Sequence, residues 1–91
     1  MLRYENAELE QELFFMAFRY ALPRHTYCCD DVARHIVANA AQFSEHTRAL
    51  IIKELGLALD GKDPYITISQ IDRPSWERAL AALRAAQGDT K

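Results

Sequence analysis

Glycine and proline are scarce in this 91-residue chain, with three of each. Sandwiches and barrels need frequent tight turns, so the shortage argues against an all-β fold and for helices. Cysteine is nearly missing as well. The two that occur, Cys28 and Cys29, are sequence neighbours. Adjacent Cα atoms sit about 3.8 Å apart, below the usual disulfide range, so the thiols are read as unbridged. Reduced thiols suit a reducing interior, and the expected location is the cytoplasm. There is no long hydrophobic run either. The longest, Leu13 to Phe18, is far short of a membrane span. The opening residues show no basic start, apolar run and small-residue cleavage site, so no secretory signal is read. Nor is there an excess of one charge: 11 basic against 13 acidic residues leave a net charge of −2. A nucleic-acid binder usually carries a basic stripe and a high pI, so direct nucleic-acid binding is not expected.

What the chain does have is a globular balance, 49% hydrophobic and 26% charged. Residues 1–91 make one domain, with a frayed tail over 87–91. Four helices can be read. The first runs from Asn6, a candidate N-cap, to Ala21, and Pro23 ends it. Leu9, Leu13, Met16 and Tyr20 form one stripe at helical spacing. Phe14, Phe18 and Ala21 form a second beside it. With every residue from Leu13 to Phe18 apolar, this helix is expected at the centre, buried on several sides. The second helix spans Tyr27 to Ala41, with Thr26 as cap and Cys29, Val32, Ala33, Ile36, Val37 and Ala40 as its stripe. Phe43 plugs the following corner. The third starts at Ser44, a strong N-cap candidate, and ends at Leu59, with Gly61 placed for a left-handed terminus. The fourth runs from Arg73 to Ala86 with Asp72 or Ser75 as cap and Trp76 as a core anchor. Between the third and fourth, Tyr65 to Ser69 alternates in part and is either a short extended piece or coil. The expected fold is therefore all-α, a compact bundle of about four helices around a central, fully apolar first helix.

No catalytic residues, metal site or cofactor are read. His25, Cys28, Cys29, His35 and His46 are the residue types zinc prefers. Adjacent cysteines at a helix start, however, cannot easily both point at one ion, and structural sites space their thiols by two to four residues. Cys29 also falls in a core stripe, where cysteine behaves as a small hydrophobe. Cys28 beside His25 would suit a reactive thiol, but Asp30 and Asp31 disfavour the thiolate. Two charged features remain. Glu5, Glu8 and Glu12 share one side of the first helix at 3–4 spacing, an acidic ridge for a basic partner surface or simply a solvated face. Arg19, Arg24 and His25 gather at the turn that follows. Tyr65 is a further candidate contact. The candidate partner-binding residues are thus Glu5, Glu8, Glu12, Arg24, His25 and Tyr65.

The stretch Ala17-Phe18-Arg19-Tyr20-Ala21-Leu22-Pro23-Arg24-His25-Thr26-Tyr27 resembles a block in small phage and prophage proteins. In these, a helix ending Phe-Arg-Tyr-Ala-Leu is followed by a Gly-Arg turn and a Thr-Tyr pair. A second helix, a Leu-rich third helix and a Trp-led last helix come next. Ser44 to Leu55 and Trp76 follow that order. The sequence departs from the block at Pro23, where the pattern has glycine. The resemblance implies a viral or mobile-element origin and a non-enzymatic protein that clamps a host complex, as anti-CRISPR inhibitors do. Two other readings stand beside it. One is a small DNA-associated regulator using Arg19, Arg24, Arg34 and Arg48. The other is a metal- or thiol-dependent switch at His25, Cys28 and Cys29. A homodimer would cover leftover apolar area.

Overall fold

The computed structural model describes residues 7–23, 27–64 and 66–88. Four α-helices follow in order: α1 (Ala7–Ala21), α2 (Tyr27–Asn39), α3 (Glu45–Leu59) and α4 (Arg73–Gln87). A 3-10 turn, Ala40–Gln42, joins α2 to α3. There is no strand among the described residues, so the chain is an all-α bundle.

The helix ends follow from local chemistry. Two residues before Pro23, α1 stops, and its last carbonyl, that of Ala21, accepts the Cys29 thiol at 3.1 Å. A thiol thus satisfies a group that a helix end leaves orphaned. The second helix ends at Asn39, two residues before the expected Ala41. There the Asn39 side-chain amide donates to the His35 carbonyl at 2.9 Å, the kind of local bond that competes with helix continuation. Ser44 caps α3 as expected, with its Oγ accepting from the Thr47 N–H at 3.1 Å. At the other end Gly61 is left-handed, φ 70°. The Lys62 N–H reaches Leu57 O at 2.9 Å and the Gly61 N–H reaches Ala58 O at 3.2 Å, the paired bonds of a Schellman terminus. Asp72 occupies the N-cap position of α4 but makes no side-chain cap bond there. Ser75 does not cap either. It donates to Asp30 Oδ1 at 3.0 Å and so ties the start of α4 to the start of α2. Gln87, expected in the tail, is instead the last residue of α4, and its side chain bonds Arg48. The segment before α4 is coil in which Ile66 is buried, Ile68 packs on the core and Thr67 faces solvent. Asn6, Thr26 and Tyr65 lie outside the described residues.

The core corrects one expectation. The helix at the centre is α4, which packs on α2 along one side and α3 along the other. Trp76, Ala79 and Leu83 are fully buried between them. Small residues such as Ala79 let neighbouring backbones close in, so an alanine-rich helix can take the middle. The first helix sits at the edge instead. Its Phe18 is fully buried and meets Trp76 edge to face, ring centroids 5.8 Å apart. Phe14 and Phe15 are half-buried, while Leu13, Met16 and Tyr20 are exposed. Four short helices cannot surround one another completely. The chain buries one of α1's two apolar stripes and leaves the other in solvent.

Candidate functional site

The first and third helices lie side by side and run the same way. Near their beginnings the Ser44 N–H donates to Gln11 Oε1 at 2.8 Å. Two turns further on, the Arg19 guanidinium sits 3.6 Å from the Glu54 carboxylate. Between these ties lies an open groove of about 670 Å³. Half-buried Phe15 and buried Thr47 form its base, and exposed Met16 and Leu50 its walls. Glu12 and His46 stand at the rim, both exposed. A concave apolar surface with a few polar groups at its edge is the usual form of a binding site. Met16, 63% exposed, also belongs to the outward stripe with Leu13 and Tyr20. Methionine suits such a position because its unbranched, polarizable chain adapts to different contacts.

The candidate residues read from the sequence fall unevenly on this surface. Glu12 is at the groove. Glu8 lies within α1, but its side chain is outside the described residues, as are Glu5, Arg24, His25 and Tyr65. The acidic ridge is therefore represented by Glu12 alone. Phe15 and Leu50 were missed as site residues. The signal that could have found Phe15 is the unbroken apolar run from Leu13 to Phe18, wider than the one face a small core can hold; Leu50, on α3, carried no such signal.

Of the four basic residues that a DNA-binding reading needs, Arg24 lies outside the described residues and the other three are engaged within the protein. Arg19 pairs with Glu54, and Arg34 pairs with Asp30 at 2.8 Å and Asp31 at 3.1 Å. Arg48 is the most heavily used. Its Nε donates to Gln87 Oε1 at 2.6 Å, and one terminal nitrogen donates to the carbonyls of Phe43 at 2.5 Å and of Ala40 and Ala41 at 3.3 Å. It clamps the corner between α2 and α3 to the end of α4. For the metal reading, no group of three or more potential ligands gathers among the described residues. Cys29 is fully buried and occupied at the end of α1, whereas the Cys28 side chain is outside the description. The His35 ring lies tilted against Phe14, centroids 4.8 Å apart, and its Nδ1 lies 3.4 Å from the Asn39 amide. Among the described residues, no helix is long and apolar enough to cross a membrane.

Compared with family models, curated proteins and solved structures, the chain matches none.

Proposed function

We propose that this chain is a non-enzymatic binding module of phage or prophage type that docks onto a bacterial host protein and blocks it. A defence complex such as a CRISPR effector is the target class. The reading rests on the groove between α1 and α3, and above all on Met16, 63% exposed beside half-buried Phe15. An apolar side chain from the partner would enter between Met16 and Leu50, leaving water as it does so. Glu12 at the rim favours a basic residue beside that apolar anchor. Proteins that handle nucleic acid carry such basic residues in abundance. The chain acts by occupancy, one copy per blocked site, with no turnover.

Phage plating on a bacterium with active CRISPR interference is the test. Wild-type protein raises plating efficiency, and Leu50→Asp, which places a charge in the groove, removes the gain while circular dichroism shows an intact helical fold. Plating that stays at the defended level with wild-type protein refutes the reading for that target. Equal protection by Leu50→Asp refutes the groove.

A further inference from the structure

The outward face of α1 carries a pattern that runs past the groove on both sides. Leu13, Met16 and Tyr20 are 38%, 63% and 64% exposed, and they recur at alternating spacings of three and four residues. That spacing is the seam of a two-helix coiled coil. Together they hold on the order of 350 Å² of exposed side chain, the patch size at which an apolar surface on a monomer usually has a role. The phenylalanines of α1 turn toward the bundle, where Phe14 packs on His35 and Phe43, and Phe18 on Trp76. The bundle's own packing thus leaves the seam largely open to solvent.

The charges beside the seam say what can cover it. Glu12 and Arg19 are seven residues apart, so they occupy equivalent positions on one flank, each next to a seam residue. Both are exposed, with 51% of the Arg19 side chain open despite its Glu54 contact. In a two-fold antiparallel pair, each flank meets the same flank of its copy. Glu12 then faces the second copy's arginine at position 19, and Arg19 faces its glutamate at position 12. The same turn sets the leucine of one seam against the methionine of the other. A parallel pair sets this flank against the opposite one, where Ala17 offers no charge, and forms neither ion pair.

We propose that this face of α1 binds a second copy of the chain in an antiparallel two-fold dimer. Self-complementary charge is what an isologous interface requires, because one surface must serve both partners. A helix of 15 residues is about 22 Å long, so the contact is small. It falls below the roughly 1,200 Å² of stable interfaces, and the expected dissociation constant is on the order of 100 µM. The seam shares Met16 and Glu12 with the groove, but Leu13, Tyr20 and Arg19 belong to the seam alone, and Phe15 and Leu50 to the groove alone. The two surfaces can therefore be tested apart.

Sedimentation equilibrium up to about 1 mM protein tests it, a range that populates a dimer of this strength. The wild type dimerises. Glu12→Arg brings two guanidinium groups together across the interface, Arg19→Glu brings two carboxylates together, and each raises the dissociation constant roughly tenfold. An equimolar mixture of the two variants restores wild-type affinity, because in the mixed pair both arginines of one chain face both glutamates of the other. Leu13→Ser weakens the dimer without touching charge, and Leu50→Asp in the groove leaves it unchanged. A wild type that stays monomeric overturns the proposal. So do single charge reversals without effect, or a mixture that fails to recover.

Discussion

Removing the Arg48 guanidinium should open the corner where α2 turns into α3. The side chain donates to Gln87 on α4 at 2.6 Å and to the Phe43 carbonyl at 2.5 Å, with two longer bonds to Ala40 and Ala41 at 3.3 Å. Hydrogen bonds from a charged donor contribute about 1.5–3 kcal/mol each, and a half-buried site keeps part of that. Taking the two short bonds at the low end of that range and the long ones as small, Arg48→Ala costs about 3 kcal/mol. A domain of this size has on the order of 5–14 kcal/mol in total, so the loss is large. It corresponds to a fall in melting temperature of roughly 12–24 °C. Arg48→Lys keeps the charge but not the planar fork, and it should lose about half as much. Gln87→Ala removes one partner alone. In a double-mutant cycle, Arg48 and Gln87 should show a coupling of about 1 kcal/mol. Urea unfolding followed by circular dichroism provides these values. If Arg48→Ala costs less than about 1 kcal/mol, or Lys replaces Arg at no cost, the clamp is not what holds the corner.

Two further predictions rest on single observations. Gly61→Ala meets no atom within 4 Å but must hold φ near +70°, so it should destabilise by about 1 kcal/mol from backbone strain alone, again read by urea unfolding. In a Cys28→Ser background, Cys29 should resist a thiol reagent until the protein opens, with a rate that climbs with denaturant. Fast labelling of the native protein would favour the thiol-switch reading.

Much of the architecture was legible because its signals are local. Ser44 and Gly61 mark the two ends of α3 through side-chain capping and a positive φ, both properties of a single residue. Pro23 marks the end of α1 in the same way. The place of each helix in the bundle was less legible. The apolar run from Leu13 to Phe18 suggested a helix surrounded on all sides, but a hydrophobic count does not say how many neighbours exist. Width decides that: Ala79 lets α2 and α3 close on α4, whereas α1 with its three phenylalanines stays at the edge. The groove was hidden for the same reason. Phe15 and Leu50 lie 35 positions apart, and only the packing of α1 on α3 brings them together. Arg48 looked like a cation for a phosphate because sequence shows charge, not the carbonyls that surround it.

The meeting of Phe18 with Trp76 gives the molecule a built-in gauge. Trp76 is the only tryptophan, it is fully buried on α4, and it touches a residue of the edge helix. Its indole N–H has no hydrogen-bond partner among the described residues, so water that arrives when α1 lifts would find a donor waiting. Emission colour therefore follows the opening of the core around α4, with α1 as one of its walls, while far-ultraviolet ellipticity follows all four helices. Any lag between the two signals during heating measures how far that core opens before the helices themselves melt.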